Sequence, residues 1–80
     1  MYYYVELTDT FGGDANYSWV TRLKVSANTM MGAVRKVGRN TGLSWRKAYD
    51  MGDVVRYDSR SGATCFFIEP FDGQTVSDTL

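Results

Sequence analysis

The chain has 80 residues, enough for one domain, and a domain of this length buries only about 60 to 65% of its unfolded surface. Such a shallow core leaves little room for an enclosed active site. The formal net charge is zero, and histidine, the usual general base at neutral pH, is absent, so ordinary catalytic triads are excluded.

Charge is segregated along the sequence into three blocks. Residues 1–21 contain three acids and no base, residues 22–60 contain all nine bases with three acids, and residues 61–80 again contain only three acids. Separate patches of each sign steer partners electrostatically even when the total charge is neutral. The pattern therefore indicates binding rather than chemistry.

Two features bear on where the protein resides. A single cysteine, Cys65, excludes an internal disulfide, and no basic segment followed by an apolar run opens the chain. No apolar stretch approaches the ~20 residues needed to cross a bilayer. The sequence predicts a cytoplasmic protein with no membrane partner.

Two strands joined by a reversal open the chain. Tyr2–Thr8 and Tyr17–Val25 both alternate between two faces, which is typical of strands. Between them, Asp9–Asn16 contains Gly12 and Gly13 beside Asp and Asn residues. Glycine adopts positive φ readily and Asx side chains bond their own backbone, so we expect a hairpin loop.

The period changes to helical after residues 26–28, where Ser26 or Asn28 could cap a helix. One stripe of the helical wheel is formed by Met30, Ala33, Val34, Val37 and Thr41. The opposite side carries Arg35, Lys36 and Arg39. Gly42 suits the left-handed position that ends a helix. We therefore expect a helix lying on the sheet with its basic face outward.

Three further strands are predicted at Leu43–Asp50, Val54–Asp58 and Ala63–Glu69. Within the first of these, alternation places Trp45, Lys47 and Tyr49 on one face and Arg46, Ala48 and Asp50 on the other. Pro70 ends the last strand, and residues 71–80 show no period and are expected to form a flexible tail.

The predicted fold is α+β: an antiparallel sheet with one helix packed on one face, in the order ββαβββ. Residues 1–70 form the single domain.

Residues that could take part in catalysis or metal binding are better explained by structural roles. Cys65 lies in an apolar strand and is expected to pack in the core. Ser44 and Lys47 match Ser-x-x-Lys, but positions three apart in a strand point to opposite faces. Asp50 and Asp53 flank a turn and fall short of a calcium ligand set. We expect a protein that is not an enzyme and that uses no metal or cofactor.

The candidate binding residues are basic and aromatic. The predicted partner-binding set is Arg35, Lys36, Arg39, Arg46, Lys47, Tyr2, Tyr4 and Trp45. Cations interleaved with aromatic rings could hold phosphates and stack bases, although a helix on a sheet needs a polar outer face in any case. Tyr2 and Tyr4 fall on the sheet face away from the helix. That face either docks a partner or is hidden by the wrapping of the sheet itself.

The run from Tyr3 to Val20 resembles the opening of small proteins encoded by phages and prophages. The chain's length, its β-rich order with one helix and its lack of catalytic residues also look like anti-CRISPR proteins. This resemblance implies a stoichiometric inhibitor that binds a host protein or ribonucleoprotein defence complex in the host cytoplasm. It assigns no residue a role. A small nucleic-acid-binding module stays open as the alternative function, and a homodimer stays open as the assembly.

Overall fold

The computed structural model describes residues 1–80 as one helix and a six-stranded mixed sheet. The elements are β1 (Tyr2–Phe11), β2 (Asp14–Ser26), α1 (Met30–Thr41), β3 (Trp45–Asp50), β4 (Val55–Ser59), β5 (Thr64–Pro70) and β6 (Asp78–Thr79). The strands lie in the order β3-β4-β5-β1-β2-β6, and only the β2–β6 pair is parallel. The predicted α+β class and the order ββαβββ are confirmed, with a short sixth strand added at the end.

The core lies between α1 and one sheet face. The helix contributes Ala33, Val34 and Val37, which are all buried, as the predicted stripe required. On the sheet, the ring of fully buried Phe66 stacks on Tyr57 with centroids 5.2 Å apart and meets Trp45 edge-on at 4.8 Å. Such aromatic pairs add about 0.5–1.5 kcal/mol beyond their buried area, which helps a small core.

The β1–β2 hairpin is longer than predicted, and a large bulge interrupts its pairing. Gly12 and Gly13 form a two-residue turn with φ of 62° and 87°, both in the region that favours glycine. Pairing is regular up to Thr8 and Val20 and resumes between Thr10 and Ala15. Asp9 alone therefore stands opposite residues 16–19, and bulges of this kind bend a strand and increase its twist.

The caps of α1 agree with the sequence at one end only. Gly42 has φ 70°, and its N–H donates to the Gly38 carbonyl at 2.9 Å, as predicted. At the other end the cap is Thr29, whose hydroxyl accepts from the Gly32 N–H at 3.0 Å. The prediction of Ser26 or Asn28 was wrong because the sheet extends to Ser26, whose N–H donates to the Leu80 carbonyl.

Strand β3 does not alternate as predicted. A bulge at Ala48 lets Lys47 pair with Tyr57 and Tyr49 pair with Arg56. Neighbouring residues of β4 point to opposite faces, so Tyr49 lies on the face opposite Lys47. The expectation that Trp45, Lys47 and Tyr49 share one face was therefore wrong for Tyr49.

The last four residues dock on the outer edge of β2. Ser77 donates from its backbone N–H and its hydroxyl to the Arg22 carbonyl, and Leu80 donates to the Lys24 carbonyl. Leu80 also packs against the core. The unpaired edge of β2 thus supplies backbone partners to the end of the predicted tail, which an aperiodic sequence does not reveal. No helix has the length and apolarity needed to cross a membrane.

Candidate functional site: a basic groove and a pinned hairpin tip

A groove of about 570 Å³ runs between α1 and the loop that precedes it. We call it the basic groove, and its lining residues are Ser26, Ala27, Asn28, Thr29, Gly32, Arg35, Lys36 and Arg39. Three of these are cations and none is acidic. Ala27 is the only apolar member, so the groove binds a ligand chiefly through charged and polar contacts.

Helical spacing places the cations of the groove together. Arg35 and Arg39 are four residues apart and so share one helix face, where both are exposed. Lys36 is half-buried, and its Nζ donates to the Ser26 carbonyl, which ties the helix to the end of β2. Gly32 lets α1 lie close to the preceding loop, since a Cβ there would lie 3.4 Å from both Ala27 Cβ and Thr29 Oγ1.

The two arginines of the groove have no acidic partner. The ion pairs of the chain use Arg22, Lys47 and Arg56 instead. Like charges four residues apart on a helix repel each other by a few tenths of a kcal/mol. The positive end of the helix dipole also lies at this groove, beside Thr29. An anion placed there would relieve both effects.

The predicted patch of cations interleaved with aromatic rings does not form. Arg46 pairs across the sheet with Asp58, while Lys47 lies 3.8 Å from the carboxylate of Asp50. The Trp45 ring packs on Phe66 and is half-buried rather than presented to a partner. Of the predicted basic residues, the structure brings only Arg35, Lys36 and Arg39 into one site.

The sequence left open whether Tyr4 docks a partner or is hidden, and the structure hides it. Tyr4 is buried on the open face, by which we mean the sheet face opposite α1. Its hydroxyl donates to Glu6 at 2.9 Å, and burial, reinforced by Glu6, raises the pKa of Tyr4. Tyr2 is half exposed, with the ammonium of Lys24 4.4 Å from its ring centroid. Partial wrapping of the sheet, the alternative drawn from the sequence, therefore applies to Tyr4.

The hairpin tip, residues 9–19, folds across the open face as far as β4. There the Gly13 carbonyl accepts from Arg56 Nη2 at 2.7 Å. Arg56 is only 6% exposed, and its Nε donates to Asp58 at 2.8 Å. Its guanidinium also lies 5.6 Å from the Tyr49 ring centroid. Arg56 thus pins the tip to the sheet.

A carboxylate clip holds the other side of the hairpin tip. Asp9 accepts from Asn16 Nδ2 at 2.9 Å, from the Ser18 N–H at 3.0 Å and from Ser18 Oγ at 2.6 Å. The hydrogen bonds from Ser18 and then Asn16 lower the pKa of Asp9 to about 2. Between these donors, Tyr17 takes a left-handed φ of 56°, which is rare for an aromatic residue.

The sequence did not identify Arg56 and Asp9 as the residues that hold the hairpin tip in place. In the strand, alternation sets Arg56 opposite Val55 and Tyr57, so it reads as an ordinary outward cation. No local signal reveals that residues 43 positions away cover it. Cys65 was predicted correctly as a buried residue, and burial raises the pKa of its thiol, opposed by the nearby Arg56 charge.

The fold and site thus define a small α+β protein with a basic groove at one end of its longest hairpin. Comparison of the chain with protein-family models, curated proteins and solved structures yields no match.

Proposed function

We propose that the chain is a non-catalytic binding protein whose basic groove holds an acidic surface of a protein partner. In keeping with the resemblance to anti-CRISPR proteins, that partner is a host defence complex, inhibited stoichiometrically. The observation that carries the proposal is the exposed pair Arg35 and Arg39, which share a groove without any carboxylate.

A protein carboxylate suits the groove better than an unpaired base. Arginine binds carboxylates through paired N–H donors, and these contacts are stronger than neutral hydrogen bonds. Proteins that hold single-stranded nucleic acid add aromatic platforms for the bases, and the lining of this groove contains no ring. The groove therefore offers charge recognition without stacking.

Duplex phosphates are the second candidate ligand, because they require cations but no stacking. Two free arginines would neutralise about two phosphates, so the logarithm of the binding constant would fall with the logarithm of salt at a slope of about −2. A gel-shift titration of a 30-base-pair duplex at low salt tests this candidate. Absence of any shift would eliminate it.

The test of the first candidate is phage plating on bacterial strains that each carry one CRISPR–Cas system and express the chain. We expect the wild type to raise plating efficiency on at least one strain. The Arg35→Gln/Arg39→Gln variant should lose this effect, because the neutral amides cannot hold carboxylates by charge. Arg22→Gln/Arg60→Gln is the matched control, since it removes the same charge from exposed positions outside the groove.

Native mass spectrometry of the purified complex should then show one copy of the chain per binding site on the partner. Full protection by the groove variant, or no protection by the wild type in any strain, would contradict the proposal.

A further inference from the structure

We infer that the basic groove of one copy receives the hairpin tip of a second copy, so that the chain associates head to tail. This inference rests on the groove being the anion-binding surface proposed above. It names a second copy of the chain as a ligand for that surface.

The hairpin tip presents both aromatic and acidic groups to solvent. Phe11 is 79% exposed, Tyr17 50% and Trp19 42%. The only charged residues of the tip are Asp9 and Asp14, so its surface carries negative charge alone. Aromatic rings supply large contact area at low entropic cost, and Phe, Tyr and Trp are enriched at the centres of protein interfaces.

The backbone of the hairpin tip is also fixed in one conformation before binding. Its turn, the Asp9 clip and the hydrogen bond from Arg56 to Gly13 fix the backbone before any partner arrives. The left-handed Tyr17 is a conformation that costs free energy and persists only where its surroundings enforce it. A pre-organised loop loses little entropy on binding, which favours association.

The chemistry of the tip matches that of the groove. Phe11 and Asp14 face each other directly across the turn, so one aromatic ring and one carboxylate stand side by side at the end of the hairpin. Arg35 and Arg39 can meet this pair with a charged hydrogen bond to the carboxylate and a cation–π contact to the ring. A groove of about 570 Å³ lies within the range of about 300–1,000 Å³ typical of ligand pockets.

The two surfaces lie at opposite ends of one strand. Asp14 begins β2 beside the turn, and Ser26, which ends β2, lines the groove. A molecule whose complementary surfaces face away from each other cannot fill its own groove, so the contact must be made between copies. Such heterologous contacts lead to rings or open chains. The zero net charge adds no long-range repulsion between copies.

Sedimentation equilibrium tests the inference on the wild-type chain. The weight-average mass should rise above the 9.0 kDa monomer as concentration increases at low salt. It should return to the monomer value near 1 M salt, where the screening length is only about 3 Å. A wild type that stays monomeric at millimolar concentration and low salt would overturn the inference and leave the tip free for a different protein.

Complementation between two variants provides the decisive arm. The tip variant Phe11→Ser/Asp14→Asn and the groove variant Arg35→Gln/Arg39→Gln should each be monomeric alone. Mixed in equal amounts, they should form a 1:1 dimer that grows no further, because the dimer uses the one intact groove and the one intact tip of the pair. Circular dichroism should show both variants folded, since all four positions are exposed.

Matched controls remove equivalent groups elsewhere on the surface. Met51→Ser/Asp53→Asn deletes an exposed apolar side chain and a carboxylate from the β3–β4 turn, and Arg22→Gln/Arg60→Gln deletes two exposed cations. Both should associate like the wild type. Equal loss in a control, or no dimer in the mixture, would refute the tip-to-groove contact.

Plating separates this inference from the proposed function. If the tip variant is monomeric but still protects phage, the groove has a host ligand independently of self-association. If the groove variant is monomeric yet protects fully, the proposed function fails while the head-to-tail contact stands.

Discussion

Replacing Arg56 by Met tests whether a buried cation holds the hairpin tip to the sheet. Methionine keeps an unbranched chain in place but removes the donors to Asp58 and Gly13, which lie at 2.8 and 2.7 Å. Removing one partner of a fully buried ion pair costs about 3–5 kcal/mol. Asp58 is 27% exposed at its side chain and Gly13 is exposed, so water recovers part of that loss.

We therefore expect Arg56→Met to lower the free energy of unfolding by about 2–3 kcal/mol, with hydrogen bonds to charged groups contributing about 1.5–3 each before resolvation. For a domain of this size that corresponds to a fall in Tm of roughly 10 to 20 °C. The matched control is Arg60→Met at an exposed position, where a change within about 0.5 kcal/mol is expected.

Urea unfolding followed by tryptophan fluorescence measures the effect. Trp19 lies in the hairpin tip and Trp45 packs on the core, so single-tryptophan variants report the two regions separately. In Arg56→Met, the Trp19 signal should change at lower urea than the Trp45 signal. A loss below about 0.5 kcal/mol, or a Trp19 signal that changes at the same urea concentration as the Trp45 signal, would show that Arg56 does not hold the tip.

Three further predictions concern local features. The lowered pKa of Asp9 means that its hydrogen bonds stabilise the fold fully above about pH 4 and are lost as pH falls toward 2. The Tm of Asp9→Asn should therefore fall less steeply than that of the wild type between about pH 4 and pH 2. Asp53→Asn should keep the wild-type slope, and identical slopes in the two variants would contradict the clip. Because Cys65 is buried and its thiol pKa is raised, a disulfide reagent should react far more slowly with the native chain than with the urea-unfolded chain; equal rates would show that the thiol is accessible. Gly42→Ala should cost about 1 kcal/mol because φ is 70°, whereas Gly38→Ala, with ordinary van der Waals space, should stabilise α1 by up to about 1 kcal/mol; urea midpoints that shift in the same direction would disprove the distinction.

Local patterns predicted those features that depend on neighbours along the chain. Alternation located five strands, the wheel identified the buried stripe of α1, and Gly42 marked its end. The same wheel placed Arg35 and Arg39 on the outer helix face. The groove itself could not be predicted, because its other wall is the loop at residues 26–29, whose position depends on where β2 ends.

Other errors have equally specific causes. A bulge of one residue at Ala48 reversed the face of Tyr49, since a strand has a side-chain period of two. The docking of Leu80 on Lys24 uses backbone groups alone, which any sequence possesses. Tyr4 is buried on a face which, by its pattern, looks open.

The sequence by itself determined the α+β class, the order of the elements, the buried helix stripe and the segregation of charge, because these depend on period and composition. Only the tertiary structure decided which cations share a site and which polar residues are covered. The contact between Arg56 and Gly13 joins residues 43 positions apart, one in β4 and the other in the turn between β1 and β2. Such long-range closure leaves no mark on the local pattern of either segment.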